Sequence, residues 1–114
     1  MEYRTIEPRE RKFYFDFISK RIEGNQVELE VAGLDIGDQI ETEWTLVEGI
    51  SYDPKLDTLH IHTQPNEYMV VKPQEVIAVE EGILVRSVCV RDRDGHLRII
   101  HFREPLKLPW SERS

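Results

Sequence analysis

The stretch Glu48–Thr63, EGISYDPKLDTLHIHT, reads as a β-hairpin, and the other elements can be placed around it. Ile50 and Tyr52 alternate with Ser51 and Asp53 on the way in; Leu59 and Ile61 alternate with Thr58, His60 and His62 on the way out. A period of two marks a strand with one buried face. Pro54 pre-sets φ for the second turn position, and the Asp53 carboxylate can accept backbone N–H groups just past it. The alternation therefore predicts antiparallel neighbours, with Ile50, Tyr52, Leu59 and Ile61 on one core face and both histidines on the other.

A second hairpin is expected near the end of the chain, with Ile83–Arg91 and Leu97–Arg103 flanking Asp92-Arg93-Asp94-Gly95-His96. Asp-Gly suits a tight type I′ turn, whose two central residues both need positive φ. At the other end, Pro8 to Ile22 reads as a helix. Proline suits its first position, where an N–H would be unpaired, and Gly24 suits a left-handed cap beyond it. Phe13, Tyr14, Phe17, Ile18 and Ile22 make its apolar stripe, with Phe15 to one side. Between helix and hairpin lie two alternating segments. Gln26–Ala32 points Val27, Leu29 and Val31 inward, and Gln39–Val47 places Ile40, Thr42, Trp44 and Leu46 on one face. Tyr68–Lys72 and Val76–Val79 are short apolar strands separated by Pro73.

One helix followed by seven or eight strands on short turns predicts an α+β domain. The expected architecture is an N-terminal amphipathic helix packed on a strongly curved, mostly antiparallel sheet or partly open barrel. Residues 1–103 form the expected single domain. Residues 104–114, with Pro105 and Pro109, form a partly mobile tail in which Leu106, Leu108 and Trp110 can pack back.

Composition narrows the function classes. A net charge of −7 is unsuited to general nucleic-acid binding, which needs a basic footprint. Nothing approaches the ~18 apolar residues of a membrane span, and the charged N-terminus is unlike a signal peptide. One cysteine, Cys89, permits no internal disulfide and agrees with a reducing, cytoplasmic location. Charge is segregated: residues 25–85 carry thirteen Asp/Glu against two Lys/Arg, whereas 86–114 carry seven Lys/Arg against four Asp/Glu. Acidic and basic strands lying side by side would neutralise one another.

FYFDFISKRIEG in the helix, GLDIGDQ in the connector and GISYDPKLDTLHI in the hairpin are the segments through which the chain resembles a family of small bacterial proteins known only as a domain of unknown function. The resemblance covers most of the chain and implies a compact unit of about this length. It implies no activity, ligand or site residue, because the family has none assigned.

Candidate chemistry is sparse. His60 and His62 leave one face of a strand, a geometry zinc can use if further ligands converge. Cys89 and His101 lie on adjacent strands of the last hairpin, where a nucleophile–base pair can be imagined. A cysteine within Val-Cys-Val is more in keeping with an inert buried thiol. Alternating glutamates (Glu28/Glu30, Glu41/Glu43) fit a solvent face. The last hairpin holds five arginines, of which Arg91 and Arg103 share the face of Cys89 and His101 and are the candidates for an anion or an acidic partner. No cofactor motif occurs. The expected function is a non-enzymatic binding or protein-interaction module, in one form a homodimer. The alternatives are a metal- or small-ligand-binding protein or enzyme using the His60/His62 face, and a regulatory module binding an acidic partner through the arginine-rich hairpin.

Overall fold

A computed structural model describes residues 1–64 and 66–107. Leu108 and Trp110 of the expected tail lie outside the described residues, as does Pro65. The elements run β1 (Glu2–Thr5), a 3-10 turn (Pro8–Glu10), α1 (Arg11–Ser19), β2 (Gln26–Gly33), β3 (Gly37–Asp53), β4 (Thr58–Thr63), β5 (Glu67–Val71), β6 (Glu75–Glu81), β7 (Leu84–Arg91) and β8 (Leu97–Lys107). All eight strands join one sheet in the order β1-β6-β7-β8-β2-β3-β4-β5, and every pairing is antiparallel.

The expected barrel-like curvature is not found: the sheet is neither closed nor strongly curved. Closure needs the two outermost strands to exchange a ladder at matching tilt and stagger. Here β1 gives all four of its residues to β6, and among the described residues β5 pairs only with β4. The expectation came from the number of strands and their short turns, and neither sets the stagger. What replaces closure is β3, a single 17-residue strand where two were expected. Its first half pairs with β2 and its second with β4. Extra residues interrupt the register opposite Val27–Glu30 and again between Val47 and Gly49, and Trp44 takes φ 30°. Such bulges twist a strand locally and allow it to serve two ladders in succession.

Past Leu46, β2 no longer covers the edge of β3. The helix supplies the missing partners: Ser19 Oγ donates to the Ile50 carbonyl and accepts the Ile50 N–H at 2.8 Å. Asn25, buried before β2, does similar work on the other side. Its Oδ1 accepts the N–H groups of Gln26 (2.8 Å) and Glu104 (3.1 Å), and its Nδ2 donates to the Glu104 carbonyl (2.8 Å).

The helix turns differently from its expected stripe. Phe15 is fully buried and Phe13 is 65% exposed, the reverse of the sequence reading, while Tyr14, Ile18 and Ile22 point inward as expected. The buried set adds Arg11, whose Nη1 donates to the Pro73 carbonyl at 3.1 Å. Tyr14, Phe15, Ile18 and Ile22 join Ile50, Tyr52, Leu59 and Ile61 of the first hairpin and Val27, Val88 and Ile100 of the other strands in one core. Each such fully buried side chain contributes about 1.5–3 kcal/mol relative to exposure.

Both hairpins form. In the first, Ile50 pairs with Ile61 and Tyr52 with Leu59, and Asp53 Oδ1 accepts the Lys55 N–H at 2.9 Å. In the second, Asp94 is not left-handed; only Gly95 is, at φ 86°. The loop is therefore not type I′. Asp92 Oδ1 accepts the N–H groups of Asp94 (2.9 Å) and His96 (3.0 Å) and closes it from within.

Candidate functional site

Helix α1 lies over one face of the sheet, and the register fixes what the other face carries. One row runs Tyr3, Val79, Ser87, His101, Glu28; the next runs Thr5, Ile77, Cys89, Ile99, Glu30, Ile40. Tyr3 is 71% exposed, and Ile40, Trp44 and Leu46 on β3 are exposed as well. This open face is where the chemically capable side chains gather.

Glu28 and Glu30 leave the same side of β2 because they are two residues apart, and His101 stands directly opposite Glu28 on β8. One ligand atom from each of the three lies within 4.8 Å of the others. His101 Nε2 is 2.8 Å from Glu30 Oε1, and the Glu30 side chain is only 15% exposed. An imidazole and two carboxylates at this spacing can share a proton or hold a divalent cation. The sequence reading took Glu28 and Glu30 for a solvent face and set His101 beside Cys89. The signal that was missing is the β2–β8 pairing, which joins segments some seventy residues apart.

Cys89 does not pair with His101. It stands opposite Ile99, while Ser87 faces His101. Burial pushes the Cys89 thiol up, and the Glu30 carboxylate adds to the rise, so the sulfur is held in its unreactive protonated form.

His60 and His62 share the face expected of them. Their rings lie parallel, 5.9 Å between centroids. Both turn Nδ1 to Glu67 of β5, His60 at 3.0 Å and His62 at 3.8 Å, so one carboxylate serves two imidazoles. Ser51 Oγ lies 3.5 Å from His62 Nε2.

Arg91 and Arg103 are placed apart. Arg91 pairs with Leu97 in the ladder, six residues before Arg103, a separation of roughly 20 Å along a strand. Arg91 Nε approaches Glu75 at 3.6 Å, whereas Arg103 donates to Gln26 Oε1 at 3.0 Å and lies over the Trp44 ring. Acidic and basic strands do neutralise one another across the sheet: Arg98 reaches Glu41 at 2.7 Å and Asp92 at 3.2 Å.

At one end of the sheet, His96 bridges two loops, its Nε2 2.9 Å from Asp35 Oδ1. The hydrogen bond to His96 holds the Asp35 carboxyl below its usual range. Asp92 is also held low: burial alone would raise it, but the backbone N–H of His96, Arg98 and the Asp94 N–H together outweigh that.

An α1 helix on one face of an eight-stranded antiparallel sheet, with an acid–imidazole cluster on the other, defines a small α+β protein. The chain belongs to the family of unknown function DUF5335, whose model matches residues 2–111. It is 32% identical over 110 residues to an uncharacterized protein of Aquifex aeolicus (strain VF5), an alignment that spans 96% of this chain and 99% of that protein. No solved structure matches. Among the described residues, no helix is long and apolar enough to cross a membrane.

Proposed function

We propose that the protein is a non-enzymatic, cytoplasmic interaction module, a single domain that docks a protein partner on the open face of its sheet. The observation that carries this reading is the asymmetry of that sheet. One face carries the buried core, on which α1 packs, while the other presents the Ile40, Ile99 and Ile77 row together with exposed Tyr3, Trp44 and Leu46. Apolar side chains grouped on one surface and bordered by charge mark interaction sites more often than scattered ones do. In its simplest form the partner is a second copy, which would bury the same face on both protomers.

Light scattering of the purified chain at micromolar concentration tests the dimer. The expected result is a dimer for the native sequence and a monomer for Ile40→Lys with Trp44→Ala. A monomeric native chain excludes the second copy. A dimer that survives both substitutions moves the interface elsewhere.

A further inference from the structure

We propose that Glu28, Glu30 and His101 form a binding site for a borderline divalent cation such as zinc, on the same sheet face as the docking row but argued without it. Three observations carry it. The side chains come from the middles of two paired strands, so their backbones are fixed by the β2–β8 ladder and not by a mobile loop. Their ligand atoms already lie within 4.8 Å of one another, close enough for modest side-chain rotation to bring them to the ~2.0–2.2 Å ligand distances of such an ion. The charges are unbalanced. Glu30 is answered by His101 at 2.8 Å, but the Glu28 carboxylate makes no hydrogen bond or ion pair among the described residues, although it converges on the same point. Together the two carboxylates and the imidazole offer a divalent cation two anionic oxygens and one nitrogen.

The donor set selects the cation class. One imidazole nitrogen and two carboxylate oxygens suit zinc or manganese. Magnesium and calcium favour all-oxygen shells, and the soft sulfur of Cys89 stands off across Ile99. Three protein ligands on a part-buried sheet face leave at least one coordination position open to water or to a group from a partner.

The structural alternative is that His101 and Glu30 are simply hydrogen-bonded and Glu28 is a bystander. Glu28→Gln separates the two, because it keeps the side-chain shape and leaves the His101–Glu30 bond intact. Calorimetric titration of the full chain with zinc chloride, and separately with magnesium chloride, is the measurement. The expected result is one zinc per chain, with affinity at least about tenfold weaker in Glu28→Gln and in His101→Gln, unchanged in His60→Ala with His62→Ala, and with magnesium much weaker. A readout free of variants is the imidazole NMR spectrum of the native chain, where zinc should shift His101 before His60 or His62. Absence of zinc binding up to about 1 mM, where the binding free energy has fallen to roughly −4 kcal/mol, overturns the site. So does zinc binding that survives Glu28→Gln, or that vanishes in the His60/His62 variant.

Discussion

Gly33 lies against the imidazole of His96: a methyl group on Gly33 would stand 2.5 Å from His96 Cδ2. The end of β2 and the loop between β7 and β8 are thus in contact through a missing side chain. Gly33→Ala must swing His96 away from Asp35. It is expected to lower stability by about 1–3 kcal/mol, the usual cost of overfilling a packed site. Removing the ring should return much of that loss, so in urea unfolding Gly33→Ala should cost less in a His96→Ala background than in the native chain. Equal costs in the two backgrounds would show that the contact is not the reason glycine is there.

Ser19 is expected to be worth more than a half-exposed hydroxyl near a helix end usually is. Its Oγ serves both backbone groups of Ile50 at the point where β2 has left the edge of β3. Ser19→Ala leaves both without that partner, for an expected loss of about 1–3 kcal/mol. Ser19→Thr keeps the hydroxyl and should cost less. Amide exchange gives a second reading, because the Ile50 N–H should lose protection selectively. If Ser19→Ala unfolds at the native midpoint, water replaces the hydroxyl without penalty.

Asp92 makes stability depend on acid. Its carboxyl is depressed in the folded protein, so the stability it supplies is fully present above the unfolded carboxylate value of about 4 and is lost as pH falls through the lower, folded value. Asp92→Asn should therefore destabilise at pH 7, by roughly 1–3 kcal/mol through loss of the charged acceptor for Arg98 and for the loop N–H groups. The gap between the variant and the native protein should narrow below pH 4. A gap of constant size from pH 7 to pH 3 would mean that the charge of Asp92 plays no part.

Cys89 should be a slow thiol. Burial holds it protonated and Glu30 reinforces that. Alkylation by iodoacetamide at pH 7.5 is expected to be on the order of tenfold slower in the folded chain than in urea, and faster in Glu30→Gln than in the native protein. Folded and unfolded rates that coincide would contradict the placement of the sulfur.

How far the sequence could be read followed the distance over which each feature is encoded. The Ile50/Tyr52 and Leu59/Ile61 face was legible because alternation and a proline turn lie within sixteen residues. Family membership followed from the same local segments. The rotation of α1 was misjudged because Phe13, Phe15 and Phe17 are equally apolar, and only contacts with distant strands choose among them. The open sheet and the Glu28–Glu30–His101 cluster were not legible, since both depend on β2 lying beside β8, and no local pattern in either strand names its partner. Asn25 and Arg11 were overlooked for a related reason. A buried polar residue looks like any surface one until the carbonyls it satisfies, Glu104 and Pro73, are brought to it.

The strand order has a consequence in time. β1 pairs with β6 and β2 with β8, so the first two strands made have no hydrogen-bonded neighbour among the segments that immediately follow, apart from β3 beside β2. A chain emerging from the ribosome can close the β2–β3–β4–β5 meander early, because each of those contacts is short in sequence. β1 must wait for residues 77–80, and the flank of β2 that carries Glu28 and Glu30 must wait for residues 97–102. Loops that long are entropically slow to close, and such topologies fold toward the slow end for their size. The acid–imidazole cluster is thus completed only when β8 arrives, and a chain ending before β8 has Glu28 and Glu30 but neither His101 nor the strand that holds it against them.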